Sequence, residues 1–261
     1  MSENPNPQTS RLFTSRRYPI HYLVIPKCGC TFVKNLLWQL ENDTSHGNAL
    51  RIHDDDSYFQ RADALGLTAD QIVQREHAFT IVRNPVDRFF SLYSDKVIGK
   101  GHARFVPLRK VLEQNHGLRT DVTSVDGHRA NCEIMINWLA RNLEEPQEID
   151  NDAHWTPQSY RQNLMKMFRL KTLMLQKLDT QLPLLLRDIV PDIDGILKGL
   201  ERNKTSAGVT RDDVLDKDLR SKINDVYSGD RKLFNQTRKL WAERDPQTGA
   251  DIPRFGDAPT A

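Results

Sequence analysis

Tyr22–Leu37, YLVIPKCGCTFVKNLL, joins a short apolar run to a helical apolar pattern, and the nature of that join decides the fold. Residues 22–26 form an apolar run closed by proline, the pattern of a buried strand. From Thr31 onward Val33, Leu36, Leu37 and Leu40 recur at helical spacing. The link between them is Pro26-Lys27-Cys28-Gly29-Cys30-Thr31. Taken alone it admits three readings: a metal or redox site, a phosphate cradle, or a tight turn. A strand that enters a glycine turn and then a helix gathers backbone N–H groups and a helix N-terminus at one point, which attracts anions. Gly29 lets the backbone come close, Lys27 adds a point charge, Thr31 adds a hydroxyl, and Lys34 lies one turn further on. The lysine precedes the glycine and the Walker A spacing is missing, which counts against an ATPase or GTPase. Cys-Gly-Cys has no second cysteine pair or nearby histidine pair to complete a tetrahedral metal site. A plain strand-to-helix turn with buried cysteines stays open at this point.

A second unit of the same kind follows. His77–Val82 reads as a strand, Arg83 and Asn84 as the turn, and Pro85 as the first residue of a helix whose apolar stripe is Val86, Phe89, Phe90, Tyr93 and Val97. Arg83 stands at the strand's end, and Arg88 and Ser91 lie three residues apart on the helix, off that stripe. An arginine fork with a hydroxyl suits a terminal phosphate. The competing reading has Arg83 capping the sheet edge and Arg88 pairing with Asp87 or Asp95. Two phosphate-competent loops imply a ligand with anionic groups at two ends.

Further helices are expected near residues 105–115, 129–144 and 157–168, a strand at Lys171–Gln176, a helix from Asp179 to about Val190 with Pro183 in its first turn, and a helical stretch from Leu219 to Glu243. Residues 203–216 read as a loop. Repeated strand–turn–helix units predict an α/β fold, one domain with a P-loop-like parallel β-sheet flanked by helices. Residues 1–17 read as a flexible N-terminal arm, 18–245 as the domain, and 246–261 as a loose C-terminal tail.

Bulk properties narrow the function classes. The 261 residues carry 37 basic and 35 acidic side chains, a net charge of +2, so no global polycation suggests nucleic acid and any anion site must be local. No secretory signal and no apolar run long enough for a membrane helix is seen, and the expected location is cytoplasmic. Three cysteines, Cys28, Cys30 and Cys132, fit reduced thiols better than a disulfide framework. Asn-x-Thr triplets at Asn42, Asn203 and Asn235 are read as chance matches.

Four motifs together resemble a known family. IPKCGCTFVKNLLW resembles the 5′-phosphosulfate loop of the sulfotransferases, in the carbohydrate (Golgi-type, "sulfotransferase family 2") branch. VRNPVDRFFSLYSDKV resembles their 3′-phosphate motif, DAHWTPQ (Asp152–Gln158) their Asp-x-His-Trp-x-Pro segment, and INDVYSGDRKLFNQT their closing helix. The resemblance covers roughly residues 20–240 with the motifs in the family's order. It implies transfer of a sulfuryl group from 3′-phosphoadenosine-5′-phosphosulfate (PAPS) to a hydroxyl, or sometimes an amine, of an acceptor such as a carbohydrate or glycan, with adenosine 3′,5′-bisphosphate (PAP) as product and no metal. Lys27, Cys28, Gly29, Cys30, Thr31 and Phe32 would hold the 5′-phosphosulfate with Lys34 as a possible helper. Arg83 and Ser91 would hold the 3′-phosphate, with Arg88 supporting the motif's own structure. Lys27 would also stabilise the departing 5′-phosphate.

A general base should take the acceptor's proton. His154 is the first choice, with Asp152 close enough in sequence to orient it, and His53, in RIHDDD, is the rival. Trp155 either stacks on a sugar ring or packs in the core, and the core is favoured. The chain departs from its Golgi relatives in showing no N-terminal anchor and in carrying QSYRQN where several have cysteines, which suits a bacterial-type enzyme. Two other classes remain: a nucleotide kinase-like P-loop transferase, and a non-catalytic protein that binds PAP or another nucleotide. The acceptor and the oligomeric state are not legible. Arg51, Arg61, Lys100, Arg104, Arg109 and Arg119 are basic residues in segments suited to meet an acidic glycan, and scattered surface charge explains them equally well.

Overall fold

In the computed structural model, which describes residues 8–53, 60–99, 103–200, 208–243 and 252–256, the three expected strands are present and run parallel, the one read at 22–26 lying earlier, at Ile20–Leu23, and the one read at 171–176 ending at Met174. They are β2 (Ile20–Leu23), β4 (His77–Val82) and β5 (Lys171–Met174), paired β2 with β4 and β4 with β5. Two short strands that the sequence did not announce, β1 (Leu12–Thr14) and β3 (Gln60–Arg61), extend the sheet antiparallel, giving the order β3-β1-β2-β4-β5. The protein is thus mixed α/β, with a five-stranded sheet in which β2, β4 and β5 form a parallel trio on one side.

The chain falls into two compact units. The first comprises residues 1–83, 160–203 and 234–261 and contains the whole sheet. Strand β4, flanked by β2 and β5, is buried along its full length, as its run Ala78–Val82 requires. Tyr22 stacks on Phe79 at 5.1 Å across the β2–β4 pair, and the hydroxyl of Thr80 donates to the carbonyl of Leu23 at 2.9 Å. Helix α1 (Cys30–Asn42) buries Val33, Leu36, Leu37 and Leu40, the stripe expected of it. The short α2 (Ala69–Val73) opens on a capping box between Thr68 and Gln71. Beyond β5, α7 (Leu178–Leu186) holds Pro183 in its interior rather than in its first turn, and ends before Val190.

The flexible-arm expectation fails from residue 9 onward, because Leu12–Thr14 is a buried strand paired on both sides. Part of the span read as a loose tail is also seated. Arg254 bridges to Lys171 antiparallel, Thr172 N–H donates to Pro253 at 3.2 Å, and Phe255 N–H donates to Leu170 at 2.8 Å, so residues 252–256 cover the outer edge of β5.

The second unit, residues 84–159 and 204–233, is helical. Helix α3 (Pro85–Leu92) starts with proline at its first position and the side chain of Asn84 accepting from Val86 N–H, then widens into a π turn over Tyr93–Ile98. Helices α4 (Val106–His116) and α5 (Val125–Glu144) follow, with Gly117 at φ 73° closing the first and Ser124 capping the second. The segment read as a loop at 203–216 contains α9 (Arg211–Val214), residues 201–207 lying outside those described. The stretch read as one closing helix is two, α10 (Lys217–Val226) and α11 (Ser228–Ala242), broken at Tyr227. The core of this unit packs Phe89, Leu92 and Tyr93 of the 85–98 segment with Leu108, Leu112, Met135, Trp138, Ile223 and Tyr227. Helix α6 (Gln162–Met167) and helix α8 (Ile193–Gly199) belong to the first unit.

Candidate functional site

The Lys27 loop leaves β2 by a turn closed by Cys28 N–H on the carbonyl of Ile25 at 3.2 Å. Lys27 and Gly29 both take the left-handed conformation, at φ 67° and 79°. A lysine there is strained, whereas Gly29 meets the requirement without a side chain. A Cβ at Gly29 would also lie 2.7 Å from Leu175 Cδ1, so another residue there must move the Leu175 side chain as well as take a left-handed backbone. Gly29 caps α1 without a capping side chain, and that turn carries no acidic residue, so the helix itself sets no carboxylate against an anion there. The group implied here, a phosphosulfate, fits the donor set.

Two contacts within the first unit link this loop to other predicted residues. The Arg83 guanidinium donates from Nη1 to the carbonyl of Lys27 at 3.0 Å, which ties the end of β4 to the strained residue of the first loop. The Thr31 hydroxyl lies 2.8 Å from Nε2 of His53, which a 3-10 turn over Ala49–His53 brings back onto α1. Asn35 secures that turn, its amide donating to the carbonyls of Thr31 at 2.8 Å and Ala49 at 3.0 Å. Aspartates 54–56, which follow His53, lie outside the described residues.

The other predicted members sit differently. Cys28 is fully buried, and Cys30 is half-buried as the first residue of α1; both are free thiols, as is Cys132. Phe32 is half-buried on the first turn. Lys34 is buried, with its ammonium 4.9 Å from the ring centre of Phe13.

Ser91 and His154 belong to the second unit. Ser91 is buried on α3, and Arg88 of the same helix is spent on the 153–156 segment. Its Nη1 donates to the carbonyl of Thr156 at 3.0 Å and its Nη2 to those of Ala153 at 3.1 Å and His154 at 3.2 Å. Its support role, not a phosphate fork, matches this geometry. Asp230, fully buried 3.9 Å from Arg88, accepts from the N–H groups of Gln158 and Ser159, and the Tyr227 hydroxyl donates to the carbonyl of Trp155 at 2.8 Å. These two residues of the closing motif thus hold the far side of the same segment. Trp155 is core, edge-on to Trp138 at 6.0 Å.

His154 is pinned by its neighbour. Oδ1 of Asp152 accepts from the His154 N–H at 2.8 Å and lies 2.6 Å from Nδ1, while Oδ2 pairs with Arg104. Burial works against the charge on Asp152, but the hydrogen bonds from His154 and Arg104 outweigh it and hold the carboxyl well below the usual carboxylate range. The ring of Phe105 meets His154 edge-on at 4.8 Å. Sequence proximity foretold the Asp152–His154 pair. The Thr31–His53 contact and the stacking of Lys34 on Phe13 depend on chain folding between distant residues and left no local signal.

No curated protein and no solved structure matches the chain. The family model described as "Sulfotransferase family" matches residues 10–236, crossing both units and containing every candidate residue named above. No helix among the described residues is long and apolar enough to cross a membrane. The chain belongs to the sulfotransferase family and is a sulfotransferase.

Proposed function

We propose that the protein transfers the sulfuryl group of PAPS to a hydroxyl, or an amine, of a carbohydrate acceptor, with PAP as product. The observation that carries this proposal is the Arg83–Lys27 contact, because it joins the two anion-competent turns of the sequence at one point of one unit. PAPS supplies the sulfuryl group already activated as a mixed anhydride. Lys27 offsets negative charge at the 5′-phosphate as the bond to sulfur lengthens, and the amides of Gly29, Cys30 and Thr31 donate to the same oxygens. The 3′-phosphate is assigned to Arg83 and Ser91 from the resemblance of the second motif. No metal enters this account.

The two histidines take different roles. A threonine hydroxyl has one proton to give. If Thr31 donates to the phosphosulfate, the 2.8 Å contact with His53 must be filled by a proton on His53 Nε2. His53 then orients Thr31 and is not the base in that state. Asp152 draws the proton of His154 to Nδ1 and leaves Nε2 as the basic nitrogen, and it steadies the imidazolium that forms. His154 is the proposed base.

The test is transfer of labelled sulfate from PAPS across an acceptor panel by wild type, Lys27→Ala, His154→Ala and His53→Ala. Loss of turnover by about 10²-fold or more in the first two, with a smaller effect of the third, supports the assignment. Full activity of His154→Ala with an inactive His53→Ala would reverse the two histidine roles. Mg-ATP turnover without PAPS turnover would remove the proposal altogether.

A further inference from the structure

The proposed base sits against a turn that belongs to none of the four sequence motifs. The 3-10 turn Ala103–Phe105 leads into α4 and sends two consecutive side chains to the Asp152–His154 pair. Arg104 donates from Nη2 to Oδ2 of Asp152. The buried ring of Phe105 meets the His154 ring at 4.8 Å, with 80° between their planes. All four residues belong to the second unit.

The two oxygens of Asp152 serve different partners. Oδ1 takes both contacts from His154, the N–H at 2.8 Å and Nδ1 at 2.6 Å, so residue 154 already fixes where that oxygen lies. Arg104 works on Oδ2 and is not needed to place Oδ1. What it changes is charge. It draws the carboxylate's negative charge away from the ring and sets a positive charge beside the imidazolium, and both effects disfavour the protonated form. Asp152 stays ionised across the range in which a histidine titrates. Two further cations stand behind the pair, each with its own carboxylate. Arg88 of α3, which holds the carbonyl of His154, faces the buried Asp230 at 3.9 Å. Lys96, whose ammonium lies 5.1 Å from the Phe105 ring, pairs with Asp95 at 2.9 Å. The Tyr227 hydroxyl is spent on the carbonyl of Trp155.

A base must be unprotonated when the acceptor arrives, and a histidine backed by an uncompensated carboxylate keeps its proton to higher pH. We infer that Arg104 is a positioning residue that acts through Asp152: by sharing the carboxylate it keeps His154 free of its proton near neutral pH and so ready to act. This rests on the reading of His154 as the base. The guanidinium is 69% exposed, so its effect is that of a pair screened by water.

NMR of protein carrying ¹³C at the histidine Cε1 follows the titration directly, with His154→Gln assigning the signal. In Arg104→Gln the midpoint should rise by on the order of half a pH unit. In Arg104→Lys, which keeps the charge, it should stay near that of wild type, and in Asp152→Asn it should fall. The rate profile for sulfuryl transfer should follow. The acid limb of kcat should move up with the midpoint in Arg104→Gln, while the plateau at higher pH and the affinity for PAP stay as in wild type. An unmoved midpoint in Arg104→Gln overturns the inference. A lowered one does so too, since Arg104 would then serve to place Asp152. A raised midpoint with an unmoved acid limb overturns the reading of His154 as the base, and leaves the coupling of Arg104 to its ring established.

Discussion

The guanidinium of Arg83 donates to the carbonyl of Lys27 at 3.0 Å, across 56 residues of sequence. One strand end thereby braces a non-glycine residue held at φ 67° in the neighbouring turn. Strain of this kind persists only where its surroundings determine it. Arg83→Gln should weaken PAP binding by tenfold or more, the effect of losing a charge-assisted hydrogen bond worth about 1.5–3 kcal/mol. Arg83→Lys keeps the charge without the fork and should recover only part of that affinity. Calorimetric titration checks both, and unchanged affinity in Arg83→Gln would remove Arg83 from the nucleotide site.

Gly29→Ala tests the loop's backbone. The left-handed φ of 79° costs a non-glycine residue about 1–2 kcal/mol, and the new methyl must displace Leu175. The melting temperature should fall and PAP binding should drop with it. A variant that is as stable as wild type and binds normally would show that the loop tolerates another conformation.

Asp152→Asn separates orientation from binding. The shape is kept, but the charge that holds His154 Nδ1 and pairs with Arg104 is lost. Turnover should fall by about 10²-fold while PAP affinity stays the same. Because Asp152 titrates well below the usual carboxylate range, it stays charged at any pH where the protein is assayed, and the acid limb of the rate profile belongs to another group. Loss of that limb in His154→Gln would assign it.

His21 should govern part of the acid stability. It is buried on β2, with Nδ1 3.1 Å from the Thr14 hydroxyl and Nε2 without a hydrogen-bond partner among the described residues. Burial first, then the charge of Arg75 and the proximity of His77, lower its pKa from 6.5 to about 4. The unfolded chain therefore takes up a proton below pH 6.5 that the folded chain refuses until about pH 4. Stability contributed by the neutral ring is whole above pH 6.5 and lost as pH falls through that window, a change on the order of 3 kcal/mol. Denaturant unfolding of His21→Gln should show a flatter dependence over the same window, and an unaltered slope would contradict the assignment.

Legibility in the sequence tracked the range of the interactions. The strand at His77–Val82 and the stripe Val33, Leu36, Leu37, Leu40 are set by local pattern, and both appear where the pattern puts them. Strands β1 and β3 are three and two residues long, too short to show an alternation. Residues 252–256 are seated by Leu170, Lys171 and Thr172, about eighty positions away. Tyr227, which ends α10 inside what reads as one helical stretch, places its hydroxyl on the carbonyl of Trp155, seventy-two positions away. The site divides in the same way. The two cysteines that draw attention in the first loop are a buried filler and a helix's first residue, whereas Asp230, which caps the 158–159 amides from beyond residue 200, carries no sign of that role in its neighbours.

The central claim is that the Lys27 loop and Arg83 hold the two phosphate ends of a PAPS-type nucleotide. Calorimetric titration of wild type and Lys27→Ala with adenosine 3′,5′-bisphosphate, set against Mg-ATP, tests it most directly. The account predicts saturable one-to-one binding of the bisphosphate, at least tenfold weaker in Lys27→Ala, with Mg-ATP much weaker than the bisphosphate. Binding of Mg-ATP in preference to the bisphosphate, or bisphosphate binding indifferent to Lys27, would contradict it.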